Sequence, residues 1–407
     1  MTFKKKYILY FILVLGICHI YCAKNYFLAN ISKYLDSIKS KLEGATTQET
    51  IFGSFDVQEQ VIADALKNEA LFRMQGVDQG GPLVYFNVGY SFTRFDHSLG
   101  VWSLVKMFGA NEAEQLASLY HDISHTAFSH VADNIFKSLK GSHATGEHSH
   151  QDDIHLWYIE NSPAMNICKK YNIPLENLDP DLPQYTMLER PLPAMCGDRI
   201  EYNLHTAIAY KILTLDEVKN IISHLRFEAV TYKKNNELIT EKTWFFNDIV
   251  SAKKFALLPL HFIRTIWNSS FNMVLYKFFA YLIRYAFLKE YISKDLFHFG
   301  KDKDILDILY KSKDPYVIHM LKCLENIFNV FEIVDEDSNN FDEILKGKFR
   351  GIDPLIKIND EVKTLTEFDF DFREIYNLVQ KDCKKGYKVK YKEIYDPEIF
   401  YATYKSN

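Results

Sequence analysis

Eight of the 14 histidines crowd into residues 97–155: His97, His121, His125, His130, His143, His148, His150 and His155. Even spreading would put roughly two there. Such a cluster points to metal binding or acid–base work, because imidazole is a good ligand and titrates near neutral pH. The competing reading is a polar helix face followed by a histidine-rich loop. Spacing narrows the choice. His121 and His125 are four apart, and Asp122 and His125 three apart. On a helix these residues would share a face. Asp133 follows His125 by eight residues.

Metal binding requires neutral imidazoles and ionised carboxylates. His97, His121, Asp122 and the distant Asp198 would supply two nitrogens and two carboxylates. That mixed set suits Mn²⁺, Mg²⁺, Fe or Zn²⁺, with positions left for water and phosphate oxygens. The six cysteines form no CxxC pair, and Cys196, two residues before Asp198, is expected in the core. A four-cysteine structural zinc site is therefore excluded.

Helices must carry most of these residues. Apolar spacing predicts a helix over Glu59–Met74, a loop from Gly76 to Gly89 centred on Gly80-Gly81-Pro82, and a helix from near Phe95 to Phe108 that stops at Gly109. The next helix is expected from Asn111, as N-cap, through His121. Ser142–Gln151 reads as a polar loop, with helices over Asp153–Glu160 and Met195–Tyr210. Beyond His224, Glu228–Tyr232 and Glu237–Glu241 read as a hairpin turning at Lys233–Asn236. Ile249–Ile292 is helical again, and Asp335–Asp342 is an acidic loop. Tyr387, Val389 and Tyr391 alternate with Lys388, Lys390 and Lys392, the pattern of a half-exposed strand. Its basic stripe fits either a solvated edge that resists aggregation or a phosphate-contacting strand.

Three stretches carry a resemblance to a known family. Arg94-Phe95-Asp96-His97-Ser98-Leu99-Gly100-Val101, the run from His121-Asp122-Ile123-Ser124-His125 to Val131-Ala132-Asp133, and Asp198-Arg199-Ile200-Glu201-Tyr202 resemble the HD-domain phosphohydrolases. Their nearest likeness is to the deoxynucleoside triphosphate triphosphohydrolases. The likeness spans about residues 55–205. It extends weakly to Lys346–Leu355 and to Tyr387–Tyr391, which resemble C-terminal regions of uncharacterised bacterial HD proteins. The resemblance implies metal ligation by His97, His121, Asp122 and Asp198. It implies acid–base work by His125 and Asp133, phosphate contacts by His130 and Arg94, a sugar contact by Gln79, and an aromatic pocket wall at Tyr202. A distal catalytic histidine would be His155, with His150 as runner-up. Position 206, where the triphosphohydrolases carry a second carboxylate, is Thr206.

The expected fold is mainly α: an HD-domain helical bundle, then a helix-rich region with a small hairpin and a terminal strand. The expected division is 1–25, 26–225 and 226–407. Lys4, Lys5 and Lys6 precede the apolar run Tyr7–Cys22, which suits a signal peptide or a membrane anchor. Export or anchoring is thus expected, with a cytoplasmic location as runner-up.

The composition is that of a folded protein: 407 residues, 47% apolar and 25% charged. A net charge of −5 argues against a strongly basic nucleic-acid binder. Few glycines (16) and prolines (11) disfavour an all-β chain. The leading reading is a metal-dependent phosphohydrolase acting on a (deoxy)nucleoside triphosphate or a related phosphate ester. Its partner would be a phosphorylated small molecule. Membrane attachment through residues 1–25 and homo-oligomerisation are left open. The alternatives are a dinuclear phosphodiesterase, with His148, His150 or His155 as an extra ligand, and an exported non-catalytic scaffold that binds a nucleotide or a host partner.

Overall fold

The computed structural model describes residues 47–140, 149–234 and 237–393. The expected leader at 1–25, His143 and His148 lie outside the described residues. Glu49–Asn407 forms one compact unit.

At its centre lies the helix Arg94–Met107. Thr93 and Asp96 start it with a reciprocal cap: Asp96 N–H donates to Thr93 Oγ1 (3.1 Å) and Thr93 N–H to Asp96 Oδ2 (2.9 Å). It is buried nearly all round: Phe95, Leu99, Val101, Trp102, Leu104 and Val105 are all in the core, and the polar Arg94, His97, Ser98 and Ser103 are buried with them. Gly109, at φ +85°, ends it. The following helix, Glu112–Tyr120, is capped by Asn111, whose Oδ1 accepts from Glu114 N–H at 2.9 Å.

That helix stops earlier than the spacing suggests. His121–His130 is a run of turns, with Phe128 and Ser129 in the left-handed region (φ +61° and +53°). His121, Asp122 and His125 therefore do not share a helical face. Distant side chains take up the turn's backbone groups. Arg73 Nη2 donates to the carbonyls of Ile123 (3.0 Å) and His125 (2.7 Å). Asp302 Oδ1 accepts from Phe128 N–H at 2.7 Å. These bonds satisfy polar groups of a buried turn that would otherwise lack partners.

Two other expectations need correction. The single helix over Glu59–Met74 is two, Gln60–Leu66 and Glu69–Arg73, because Asn68 caps the second through Ala70 N–H at 3.0 Å. The loop 76–89 contains a 3₁₀ helix, Gly81–Phe86. Gly81 sits at φ +63°, where an added Cβ would lie 2.5 Å from Tyr276 Oη and 2.8 Å from the Phe128 carbonyl.

In the C-terminal half, Leu225–Lys234 and Glu237–Phe246 pair antiparallel, from Leu225↔Phe246 to Lys234↔Glu237. Leu355–Ile358 joins the second strand in parallel, and Glu361–Thr364 completes a four-stranded sheet. Tyr387–Tyr391 is not an edge. It is the middle strand of three, between Phe331–Ile333 and Glu343–Leu345. The acidic loop meets part of its basic stripe: Lys388 Nζ donates to the carbonyls of Glu336 (2.5 Å) and Ser338 (2.8 Å).

The expected long helix after Ile249 is two, Ile249–Phe262 and Ser270–Leu288, joined by a π turn at Ile263–Trp267. Among the described residues no helix is long and apolar enough to cross a membrane. Two large apolar clusters form most of the core among the described residues. One contains Leu104, Ile200, Trp244, Phe255 and Phe372, and so draws on both sides of residue 225. The other contains Phe128, Val131, Phe279, Phe297 and Val389.

Asp302 is fully buried and also accepts from Asp78 N–H (2.9 Å) and Tyr85 O–H (3.0 Å). Burial raises its carboxyl to about 6 despite these donors. Burial, with the nearby Asp302 charge, raises Asp78 to about 8. Both groups keep protons in the fold after the unfolded chain has released them. Their contribution to stability is therefore fully present below about pH 4 and is lost as pH rises through 6 and 8, by up to about 1.4 kcal/mol per pH unit per proton. Asp302→Asn removes one titrating group. Urea unfolding of wild type and variant at about pH 5 and about pH 8 should show a shallower decline in the variant. Parallel declines would show that Asp302 is ionised in the fold throughout.

Candidate metal centre

His97 lies in the first turn of the central helix, and His121 just past the end of Glu112–Tyr120. Asp198 lies in the first turn of Gly197–Ala209. Their ligand atoms converge. His97 Nε2 is 2.9 Å from Asp198 Oδ1 and 3.1 Å from His121 Nε2, and His121 Nε2 is 3.7 Å from Asp198 Oδ1. Asp122 Oδ2 is 3.4 Å from His97 Nε2 and 3.6 Å from His121 Nε2. All four expected ligands are thus brought together.

The outer nitrogens show what the inner ones are for. His121 Nδ1 is 2.7 Å from the Ser118 carbonyl, so it must donate. His97 Nδ1 donates to the buried Glu201 carboxylate. In neutral imidazoles both Nε2 atoms then carry lone pairs, pointing at each other and at two carboxylates. Such a set of acceptors calls for a cation. The charges agree. Burial opposes a positive His97, yet Glu201, Asp198 and Asp122 outweigh it and raise the imidazole to about 10. Burial likewise opposes ionised Asp198, but the His121 and His97 contacts hold its carboxyl below the usual range. The side chains of His97, His121 and Asp198 are placed to fit a divalent metal ion, with the Asp122 carboxylate beside them.

Glu201 and Gly100 escaped the sequence reading. Glu201 is fully buried, accepts from His97 through one oxygen and from His205 Nδ1 (2.7 Å) through the other. It fixes the His97 tautomer, as carboxylates behind metal-bound histidines do. A Cβ at Gly100 would lie 2.2 Å from Glu201 Oε1, so only glycine admits the carboxylate there. The available signal was Glu201's position three after Asp198, which puts both on one helical face. Arg73 also escaped notice. Its role rests on contacts with turns far away in sequence.

Around the ligands lie the other expected residues. Arg94 Nη1 is 2.5 Å from Asp122 Oδ2 and its Nε donates to Ser129 Oγ (3.0 Å), while Nη2 is buried without a partner. His125 Nε2 is 3.2 Å from Asp122 Oδ1, and its Nδ1 is buried without a partner. Burial and the Arg94 charge lower this imidazole to about 3, so it is neutral. The His130 ring stands 5.0 Å from that of His125, and its Nδ1 is 3.3 Å from Asp133 Oδ2. Asp133 Oδ1 accepts from His150 N–H at 2.8 Å. Gln79 Oε1 is buried without a partner. Its neighbour Asp78 accepts at its carbonyl from Ser129 Oγ (2.5 Å), which ties the loop to Arg94. The Tyr202 ring is 6.4 Å from His97 and 5.6 Å from Trp267.

The two distal candidates stand apart. His155 lies behind the turn, with Nδ1 3.0 Å from Ser124 Oγ and Nε2 3.0 Å from the Leu178 carbonyl, so both nitrogens are engaged. His150 stacks on Phe136 at 4.2 Å and places Nε2 3.2 Å from His298 Nε2. Thr206 is buried. Cys196 is buried, with Sγ 3.7 Å from Glu189 Oε2. These two and Asp198 are close enough to share an ion. Burial raises both the Glu189 carboxyl and the Cys196 thiol well above their usual values, and protonated groups make poor ligands.

Known proteins resemble this chain to different degrees. Residues 94–155 match the HD domain family. An uncharacterized protein of Bacillus subtilis (strain 168) is 28% identical over 341 residues, 84% of this chain and 97% of that one. A metal-dependent phosphohydrolase of Cordyceps militaris is 31% identical over 179 residues, 44% of this chain and 50% of that protein. Among solved structures, a phosphohydrolase from Bacteroides thetaiotaomicron superposes with a TM-score of 0.59 at 18% identity, covering 85% of this chain and 100% of the other. A hypothetical protein from Aquifex aeolicus gives 0.54 at 15% identity, over 82% and 98%. At those identities the two structures speak for the fold.

Proposed function

We propose, for a chain that is a member of the HD-domain superfamily, that its activity is metal-dependent hydrolysis of a phosphorylated small molecule, most concretely a (deoxy)nucleoside triphosphate. The observation that carries this reading is the placing of unmet polar atoms. Nine buried side-chain atoms among the described residues lack a partner, and three of them are Gln79 Oε1, Arg94 Nη2 and His125 Nδ1. Arg94 and His125 both contact Asp122, so a cation donor and a lone-pair nitrogen are left open beside the cation site, which suits a polar, anionic ligand.

His97, His121, Asp198 and Asp122 would hold an ion that would supply polarisation of a phosphoryl oxygen and a lowered pKa for a water. Arg94 offers Nη2 to a phosphate oxygen while Asp122 and Ser129 hold its guanidinium in place. Neutral His125 orients the attacking water through the lone pair on Nδ1. Asp133 positions His130, whose half-exposed ring meets a second phosphate oxygen. Gln79 accepts a hydrogen bond from a sugar hydroxyl, and Tyr202 walls the pocket. His155 acts as a positioning residue, since it holds Ser124 in the turn between Asp122 and His125.

The test joins elemental analysis to a substrate panel of nucleoside triphosphates, phosphate monoesters and cyclic dinucleotides. About one metal per chain with release of inorganic triphosphate is expected. Two metals with diester cleavage would replace this reading with a dinuclear phosphodiesterase. Metal without turnover on any class would favour a binding scaffold, and absence of metal would remove the basis of the site.

A further inference from the structure

We propose that His205, held flat against Phe92, is a positioning residue for the metal: it sets the plane of the Glu201 carboxylate and, through it, the aim of His97. The proposal rests on the metal-dependent reading above. It joins a metal ligand to a ring stack two contacts away.

Asp198, Glu201 and His205 follow one another at intervals of three and four residues along Gly197–Ala209, so one face of that helix presents all three. Glu201 is fully buried. Its Oε2 accepts from His97 Nδ1, and its Oε1 accepts from His205 Nδ1 at 2.7 Å. The terminal torsion of a glutamate is soft and roughly two-fold. A bond to His97 alone would leave the carboxylate free to turn about that torsion. A second bond, on the other oxygen, fixes its plane and keeps Oε2 on His97.

The second donor is itself braced. The His205 ring lies face to face with Phe92, with centroids 3.9 Å apart and planes 11° apart. This contact fixes the plane of the imidazole and so keeps Nδ1 on Glu201. Phe92 is in turn held by its backbone. Its carbonyl accepts from Gln79 N–H at 3.0 Å, Thr93 bridges to Asp78, and Arg94 N–H donates to the Val77 carbonyl at 2.9 Å. Phe92 stands two residues before Arg94, where the central helix begins. The stack thus spans from the start of the helix that carries His97 to the helix that carries Asp198. A ring needed here only for packing could be phenylalanine. The imidazole adds one thing, a donor aimed at Glu201 Oε1.

The experiment loads the full chain with Co²⁺, whose visible absorption reports the geometry of its ligands, and measures metal affinity by competition with a chromophoric chelator. Four variants divide the device. His205→Phe keeps the ring and loses the donor, and His205→Gln keeps a donor and loses the ring. Phe92→Ala removes the stack, and Phe92→Tyr keeps it. H205F and F92A should each lose about threefold to tenfold in metal affinity, less than the usual cost of losing the carboxylate itself, and should shift the cobalt bands. F92Y should bind and absorb as wild type does, and H205Q should fall between wild type and H205F. Melting temperatures of the metal-free proteins are taken alongside, because a packing role would lower them without moving the cobalt bands. If either H205F or F92A keeps the wild-type affinity and cobalt spectrum, whatever its melting temperature, the proposal is overturned and the phosphohydrolase reading stands. If the wild type takes up no Co²⁺, Mn²⁺ or Zn²⁺, the metal centre itself fails and the proposal falls with it.

Discussion

Asp198→Ala should empty the metal site and reduce turnover by at least about a thousandfold, while leaving a folded protein. The carboxylate is the only ligand group here that comes from Gly197–Ala209, and it faces both His97 Nε2 and His121 Nε2. Without it, two imidazoles and Asp122 remain, and Asp122 is already shared with Arg94 and His125. The fold should tolerate the change. The Asp198 side chain is partly exposed, at 22%, whereas Ile200 and Leu204 on the same helix sit within the larger core cluster. The measurement is metal content by elemental analysis, with circular dichroism as the check on folding. A variant that keeps its metal and its turnover would show that the ion, if catalytic, is held elsewhere.

The site was more legible in the sequence than the scaffold that shapes it. Residue types and the family resemblance singled out His97, His121, Asp122 and Asp198 before any fold, and the structure brings their side chains together. The local geometry could not be read that way. The spacing of His121, Asp122 and His125 suggested a helical face, yet tertiary bonds from Arg73 and Asp302 draw that segment into turns. Local pattern carries no information about donors and acceptors 50 or 174 residues away. The same blindness affected Tyr387–Tyr391. Period two gives a strand, but only its pairing with Phe331–Ile333 and Glu343–Leu345 shows that both edges are covered. Helix starts fared unevenly: Asn111 caps its helix as expected, whereas Ser149 caps a helix that begins at His150, inside the expected loop and ahead of the expected start at Asp153. The distal histidines illustrate the opposite case. Sequence could rank His155 above His150 but could not reveal that partners occupy both nitrogens of His155.

The second large effect should come from a residue that touches no substrate. Glu201→Ala should weaken metal binding by about 10- to 100-fold, the usual cost of losing a carboxylate behind a ligating histidine. The carboxylate serves two rings, His97 Nδ1 through Oε2 and His205 Nδ1 through Oε1. Its loss frees His97 to turn and to adopt the other tautomer, which would present an N–H to the ion. It also leaves the buried His97 donor without an acceptor, so some stability should be lost as well, about 1–3 kcal/mol. Stability and metal affinity must therefore be read separately. Glu201→Gln supplies that separation: the amide keeps one oxygen and most of the volume but cannot accept from both rings. It should unfold close to wild type yet still bind metal more weakly. Gly100→Ala tests the same contact from the opposite helix, since its methyl would occupy the space of Glu201 Oε1. If Gly100→Ala and Glu201→Gln both bind metal as wild type does while melting lower, Glu201 is a packing residue. Weakened metal binding in both, measured by competition with a chromophoric chelator, would show that the central helix and Gly197–Ala209 meet at Gly100 and Glu201 in order to aim His97.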